Sequence, residues 1–198
     1  MIMRRIGLFI AIIIFISSCS SEYERLVERE MSSGMRYDSL FLGLRFGMER
    51  QLFFDLMLDL NRDKKIWQGK LASSITYPVS DLKYEGDMLF FPTFHDERIY
   101  EMNCIFSYKS WAPWNKRYSA DSLRYDVLNV MKKWYGDEFI KMEADNGNFA
   151  HIKVDGNRRI MIIKQEERNV KVVFTDLVKM EELREVGELE ELQKQSSI

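Results

Sequence analysis

Residue types that build cross-links and active sites are scarce in this chain. Its 198 residues include two cysteines, two histidines and three prolines. If the sulfur of Cys19 carries a covalent group, Cys104 has the only free thiol of the chain, and an intrachain disulfide is excluded. Cys104 alternates with apolar neighbours, so we expect it to be a small buried hydrophobe and not a reactive thiol.

Motifs of enzymes and metal sites are missing as well. There is no phosphate loop, nucleophile elbow or dinucleotide fingerprint. His95, Asp96 and Glu97 are consecutive, so their side chains diverge and cannot converge on one metal ion; we expect a hairpin turn there. His151 alternates with Lys153, and we expect both on the solvent face of a strand, opposite Ala150, Ile152 and Val154. The sequence thus predicts that the chain binds no metal and no cofactor. An enzyme is the least favoured of the functional alternatives.

Neither sign of charge is in large excess. The formal net charge is -2, and 46% of the residues are hydrophobic and 13% aromatic, as in ordinary globular proteins. Nucleic-acid binding depends on Lys and Arg that neutralise phosphates, so this mildly acidic chain is not expected to bind nucleic acid.

The chain also lacks an apolar run long enough to cross a bilayer, which needs about 20 residues. Arg4 and Arg5 precede the apolar run 6–16, and small residues follow it. A basic start, a short apolar run and small residues at a cleavage point are typical of a secretion signal. We therefore expect residues 1–18 to be removed.

The end of this signal, Ile16-Ser17-Ser18-Cys19, resembles the lipobox of bacterial lipoproteins. The resemblance implies cleavage before Cys19, a lipid thioether on its sulfur and attachment of the protein to a membrane. Ser20 in place of Asp resembles signals for sorting to the outer membrane. We expect a lipid-anchored protein of the cell envelope, on either face of that membrane.

Composition divides the mature chain into three parts. Residues 19–36 are polar and predict a lipidated cysteine followed by a tether, and 37–178 predict an α+β globular domain. Residues 179–198 are acidic and predict a C-terminal helix or tail.

Hydrophobic spacing predicts the elements of the first half of the domain. Leu40 to Phe46 predicts a strand, and apolar residues on one face predict a helix from Met48 to Asn61. Three further strands are predicted at Leu71–Tyr77, at Met88–Phe91 (ended by Pro92) and at Arg98–Tyr108.

The second half repeats this order. A helix is predicted between Ser119, as N-cap, and Gly136, just past its end. Four strands are predicted at 138–143, 149–154, 159–164 and 169–174, with hairpin turns at Asn146-Gly147 and Asp155-Gly156, and an acidic helix at Met180–Gln195. The expected fold class is α+β, αβββ then αββββ, with helices packed on one face of an antiparallel sheet and a C-terminal acidic helix.

One aromatic segment is a candidate contact site. Trp111, Trp114 and Tyr118 lie close together with two cations between them. Such rings stack on sugars or line peptide grooves, but a segment between a strand and a helix can also fold back onto the core. Both alternatives stay open.

Several segments resemble a family of uncharacterised Bacteroidota lipoproteins, over roughly residues 31–178. They are Tyr37-Asp38-Ser39-Leu40-Phe41-Leu42-Gly43, Phe46-Gly47-Met48, Leu60-Asn61, Trp111-Ala112-Pro113-Trp114, Trp134-Tyr135-Gly136 and Val154-Asp155-Gly156-Asn157-Arg158-Arg159-Ile160. The family implies no assigned activity. Gly47-Met48 also gives a fainter similarity to BamE-like lipoproteins and the β-lactamase inhibitor protein, although Glu49 replaces their usual Thr or Ser.

These observations favour a non-enzymatic, lipid-anchored protein that binds an unknown envelope protein. The alternative is a glycan-binding module that uses the aromatic segment. The first predicts an exposed apolar surface on the sheet or around Trp111 and Trp114. The second predicts exposed, roughly coplanar rings.

Overall fold

The structure, a computed structural model, describes residues 22–69, 74–143 and 148–187. The signal, Cys19, the predicted Asn146-Gly147 turn and the second half of the predicted acidic helix, residues 188–195, lie outside these ranges. The described helices are α1 (Glu22–Ser32), α2 (Arg50–Arg62), α3 (Ala120–Tyr135) and α4 (Leu177–Glu185), with a 3-10 turn at Lys116–Tyr118. The strands are β1 (Trp67–Gln68), β2 (Ile75–Pro78), β3 (Gly86–His95), β4 (Arg98–Tyr108), β5 (Ile140–Glu143), β6 (Phe149–Asp155), β7 (Arg158–Lys164) and β8 (Asn169–Asp176).

The α+β prediction is confirmed. All eight strands form one antiparallel sheet in the order β1-β2-β3-β4-β8-β7-β6-β5. Each half of the domain contributes one helix and four strands, and β4 and β8 join the halves at the centre. The repeated order seen in the sequence thus becomes one continuous sheet.

The main core lies between this sheet and the helices α2 and α3. Met102, Cys104 and Phe106 of β4 point to this side, which we call the helix face, and are fully buried. The buried stripes of the helices pack against the same core: Phe53, Met57 and Leu60 of α2, and Leu123, Val127, Val130 and Met131 of α3. The apolar residues that alternate along β4 therefore pack against the apolar faces of α2 and α3, as the sequence predicts.

The ends of α3 also agree with the sequence. Ser119 occupies the N-cap position with extended backbone, although its hydroxyl donates to Lys116 O and not to the helix. Gly136 ends α3 with φ +92°, a conformation that favours glycine.

The predicted strand from Leu40 to Phe46 is wrong. Only an isolated bridge between Ser39 and Arg45 forms, and Leu42 and Gly43 take positive φ in a turn. The alternation is real, since Leu44 and Phe46 are buried, but it serves a folded-back loop that inserts its apolar side chains into the core.

Pro92 does not end β3, which continues to His95 and pairs through Pro92↔Met102. Val79 N donates to Gly86 O, so even-numbered residues of β3 direct their backbone groups away from β4 up to the irregularity at Thr93/Phe94. Pro92 therefore removes no hydrogen bond to β4. On the β2 side, the pairing of β3 ends at Ile75↔Phe90, two residues before Pro92.

Residues assigned to a tether from the sequence form α1, which packs against the sheet side opposite α2 and α3. Its apolar residues Tyr23, Leu26, Val27 and Met31 lie against Ile152 and Val154 of β6. Glu30 accepts a hydrogen bond from Gly156 N at 3.2 Å. The folded body thus includes residues from Glu22 onward.

Two segments of the lipoprotein resemblance meet around Asn157, which is 1% exposed. Its amide accepts from Tyr37 N at 2.6 Å and donates to Asp38 and Asp176 at 3.0 and 3.2 Å. Asp176 in turn caps α4. Their shared role is therefore to fasten the N-terminal loop, the β6–β7 turn and α4 together.

Candidate functional site: the open face of the sheet

The sheet side opposite α2 and α3, which we call the open face, carries one residue of each strand in a continuous line. This central row follows from the strand register: Trp67, Thr76, Leu89, Ile105, Lys171, Ile163, Ala150 and Met142. Trp67 and Met142 are 40% and 38% exposed, and the six residues between them are partly buried. A mainly apolar stripe therefore crosses the whole width of the molecule.

The open face is covered mainly at one end, which we call the upper end because it holds the turns at Asp96-Glu97 and Gly156-Asn157. There α1 lies over β6, and Met180 of α4 lies 3.9 Å from the Arg159 guanidinium. Arg159 also donates to Tyr23 Oη and Thr175 Oγ1 at 3.0 and 3.1 Å. The central row lies below this cover.

Two shallow cavities lie along the central row. One, of about 380 Å³, has Leu89 and Ile105 in its lining, with Trp67 at the side. Asp87, Ser107 and Asn169 form its polar border, since these three pair across β3, β4 and β8. The other, of about 290 Å³, is more apolar and is lined by Met142, Phe149, Ala150, Ile152, Met161 and Ile163, among others. Both could hold apolar side chains of a partner.

Lys171 stands between the two cavities, at the centre of the row. Its register neighbours are Ile105 and Ile163, both apolar. Within the described ranges, its ammonium group has no ion pair or side-chain hydrogen bond. A cation without a partner on an apolar surface favours a ligand that carries a carboxylate.

The apolar surface continues around the β1 edge of the sheet. Trp67 and Gln68 line the larger of the two cavities along the central row, and they also line a groove of about 510 Å³ against α2. In that groove Phe54 and Leu58 are 50% and 65% exposed. Large exposed apolar side chains that adjoin one another are typical of protein-binding surfaces.

The aromatic segment does not form a single platform. Trp114 is 84% exposed, whereas Trp111 is partly buried, donates from Nε1 to Glu167 O at 3.3 Å and lies under the Arg168 guanidinium. Tyr118 packs edge-on against Tyr84 and Tyr108. Of the three rings, only Trp114 is free to meet a ligand in this structure.

The histidines lie apart. His95 is the last residue of β3, next to the predicted hairpin turn, where Asp96 and Glu97 both take positive φ. His151 lies on β6, four strand spacings or about 19 Å away across the sheet. They cannot form one site.

The solvent-face prediction for His151 and Lys153 is wrong. His151 pairs with Ile162 and Lys153 with Ile160, so both point to the helix face, and they are 7% and 2% exposed. Lys153 is held there by Asp155 at 2.8 Å and Glu138 at 3.1 Å. Alternation identifies the two sides of a strand, but here the apolar side faces α1.

Around His151 the structure collects cations. Arg124, only 6% exposed, lies 3.4 Å over the Phe149 ring, and Lys141 lies 4.4 Å from the centroid of the same ring. Burial, and then the charges of Arg124, Lys141 and Lys132, lower the pKa of His151. His151 is therefore held neutral.

The sequence predicted an exposed apolar surface on the sheet or around Trp111 and Trp114, but it did not identify which side of the sheet stays open or which residues line it. Leu89, Ile105 and Ile163 each lie within a recognised strand, but only the strand order brings them into one row. Along a strand, the polarity of alternate residues does not indicate which side of the sheet the helices cover. The unpaired state of Lys171 likewise depends on its neighbours across the sheet.

Comparisons with known proteins add no relative: no family model, no curated protein and no solved structure matches this chain. None of the described helices has the length and apolar character needed to span a bilayer. Over the same ranges, no cluster of three or more His, Cys, Asp or Glu residues could hold a metal ion.

Proposed function

We propose that this protein is a lipid-anchored, non-enzymatic component of the cell envelope that binds another protein through the open face. The observation that carries the proposal is the apolar central row with its unpaired cation, Lys171. It continues past Trp67 to the exposed Phe54 and Leu58. Such a surface costs solubility unless a partner covers it.

The anchor would fix the orientation of this surface. Cys19 lies three residues before Glu22, the first residue of α1. Even a fully extended chain would span only about 10 Å between the two residues. α1 lies at the upper end of the sheet, so a lipid on Cys19 would hold that end next to the membrane. The eleven residues of β4 span about 36 Å, which places the Trp114 loop at the far end, away from the membrane.

Protein binding is better supported than glycan binding. A sugar platform needs several accessible rings, and Trp111 and Tyr118 are engaged in internal contacts. The exposed Trp114 would contribute a single ring. An apolar stripe that crosses eight strands instead fits an extended or helical protein segment.

The binding proposal is tested by a photo-crosslinking amino acid placed at Ile105 or at Ile163, in cells that express the full-length protein. The matched control is the same amino acid at Tyr125, which is 55% exposed on α3. We expect one envelope protein to be crosslinked from both open-face positions and not from Tyr125. Crosslinks of equal yield and identity from all three positions, or none from the open face, would refute the proposal.

The anchor is tested separately. Replacing Cys19 by serine removes the only thiol that can be lipidated at the signal. We expect Cys19→Ser to shift the protein from the membrane fraction to the soluble fraction, whereas Cys104→Ser leaves it in the membrane fraction. Unchanged fractionation of Cys19→Ser would contradict the anchor.

A further inference from the structure

Several cations lie together on the helix face, on the side of the sheet opposite the open face. Arg124, Leu128 and Lys132 are spaced by four residues, so they share one side of α3. Lys141 of β5 and His151 of β6 are register partners, and their side chains share the helix face of the sheet. We call Arg124, Lys132, Lys141 and His151 the cationic cluster.

The ring of Phe149 joins the two sides of the cluster. The Arg124 guanidinium lies 3.4 Å over this ring, and the Lys141 ammonium lies 4.4 Å from its centroid. The His151 ring packs edge-on against Phe149, with 5.3 Å between the centroids. Contacts between a cation and an aromatic ring stabilise the cation, but they leave its charge in place. Two positive groups and a titratable imidazole therefore converge on one aromatic side chain.

The buried Arg124 is only partly satisfied by the protein. It is 6% exposed, and its Nη1 donates a long hydrogen bond of 3.4 Å to Phe149 O. Its Nη2 lies 3.7 Å from Asp121, whose carboxylate is closer to Lys164, at 3.1 Å. Its Nε, which is buried, has no acceptor in the part of the chain that the structure describes. A buried guanidinium needs acceptors and opposite charge, so an anion beside Arg124 would complete its surroundings.

The centre of the cluster stays positive. Lys141 pairs with Glu143, but that carboxylate is 71% exposed and screened by water. Over the described ranges, Lys132 has no ion pair. The three cations of the cluster lower the pKa of His151 after burial, so their charges are not cancelled at the imidazole. Its buried Nδ1 also has no hydrogen-bond partner among the described residues.

The charge of the cluster favours a phosphate group as ligand. Arg124 and Lys132 have no close carboxylate of their own, and a phosphate monoester carries about 1.5 to 2 negative charges at neutral pH. A carboxylate brings only one. The planar guanidinium also presents paired donors that match an oxyanion. Tyr125, 55% exposed and edge-on to His151 at 6.3 Å, offers a ring for the apolar part of a ligand.

We propose that the cationic cluster binds the phosphate group of a ligand between α3 and the β5–β6 pair, with Arg124, Lys132 and Lys141 as the donors. Lys132 and Lys141 are not buried, so a ligand can reach the site from solvent. The phosphate belongs to a soluble compound or to a phospholipid headgroup, and the chemistry at the site is the same. This site goes beyond the proposed function, because it lies on the other side of the sheet from the open face.

The first test uses the full mature chain, kept free of lipid by Cys19→Ser. Because the chain has two histidines, proton NMR reports His151 and, as an internal control, His95. The His151→Gln variant assigns the two signals. Inorganic phosphate, titrated at constant ionic strength, should shift the His151 signal to saturation. A bound anion favours the imidazolium, so the pKa of His151 should rise by about half a unit or more and that of His95 should stay the same. A His151 signal that does not respond, or that moves together with His95, would overturn the proposal.

Charge variants show which cations hold the phosphate. Lys132→Gln and Lys141→Gln should each weaken phosphate binding about threefold, as expected for the loss of one charge near a partly exposed site, and together about tenfold. The matched control is Lys116→Gln, at an exposed cation of the 3-10 turn, which should leave the affinity unchanged. Unchanged binding in the double variant, or equal weakening in the control, would contradict the assignment. Acetate that binds as tightly as phosphate would also contradict it.

Two arms distinguish the sources of the phosphate. Sedimentation with vesicles of phosphatidylcholine and phosphatidate, but not of phosphatidylcholine alone, would assign a lipid headgroup if the double variant of Lys132 and Lys141 abolishes it. Saturable binding of glycerol phosphate without such sedimentation would assign a soluble ligand. Binding in neither arm would refute the proposal. Crosslinking of a partner from Ile105 should be the same in the double variant and in wild type, so the two proposals stand or fall separately.

Discussion

The contacts of Asn157 make the fastening of the N-terminal loop measurable. Asn157→Ala removes three side-chain hydrogen bonds, two of them to carboxylates, from a site that is 1% exposed. Hydrogen bonds to charged groups contribute about 1.5–3 kcal/mol each, but Asp38 is partly exposed and Arg36 still pairs with both carboxylates. We therefore expect a loss of about 3 kcal/mol in the free energy of unfolding. In a chain of this size that is roughly 6–12 °C in melting temperature.

A matched variant separates hydrogen bonding from packing. Asn157→Asp keeps the shape and the acceptor for Tyr37 N, but it replaces the amide donor by a third carboxylate next to Asp38 and Asp176. Like charges and burial raise the pKa of the new group in the folded state, so the variant is penalised most at neutral pH. As the pH falls through this raised pKa, the penalty decreases.

The assay is urea unfolding followed by circular dichroism at about pH 7 and about pH 5. We expect both variants to be destabilised at neutral pH, and only Asn157→Asp to recover relative to wild type at the lower pH. A loss below about 1 kcal/mol for Asn157→Ala would refute the assignment of Asn157 as the fastening residue. So would a pH dependence of Asn157→Asp equal to that of wild type.

Three further predictions follow from buried or strained positions. The lowered pKa of His151 means that the imidazole stays neutral in the fold; stability should be fully present above the ordinary imidazole pKa and decrease as the pH falls through the lowered one. Urea midpoints measured against pH should show this slope in wild type, and His151→Gln should flatten it. Gly156→Ala should cost at least about 2 kcal/mol, since a Cβ there would lie 2.2 Å from Met35 O at φ +51°. Gly34→Ala, at φ +67° with open space around it, should cost only about 1 kcal/mol, and thermal melts that rank the two the other way would contradict the close approach. Burial raises the pKa of the Cys104 thiol, so it should resist a thiol reagent in the folded protein and react on unfolding; rapid labelling of the native state would show that the core is open.

The fold class and most elements could be predicted because local patterns determine them. The alternation of β4 and the helical stripe of α3 are properties of eleven and sixteen consecutive residues, and both are found where the sequence indicates. Two predictions, a strand end at Pro92 and a strand over Leu40–Phe46, were wrong for a common reason. Whether an apolar alternation or a proline belongs to a strand depends on which neighbours stand beside it.

The candidate site was beyond local patterns. His151 and Lys153 alternate with Ile152 and Val154, and the sequence assigns the polar pair to water by default. In the structure, α1 covers the apolar pair, and the polar pair is buried on the opposite side, where Asp155 and Glu138 pair with Lys153. The position of a helix far away in sequence reversed the sides.

The sequence by itself determined the properties that are encoded in short stretches. These are the repeated order of helix and strands and the burial of Cys104. The signal over residues 1–18 and the lipid attachment at Cys19 are read from short stretches too, and they stay predictions. The tertiary structure alone decided the strand order, the side of the sheet that stays open and the isolation of Lys171 between Ile105 and Ile163. The reason is physical: helix and strand periods arise from neighbouring residues, whereas a surface is made by residues that only the packed sheet brings together.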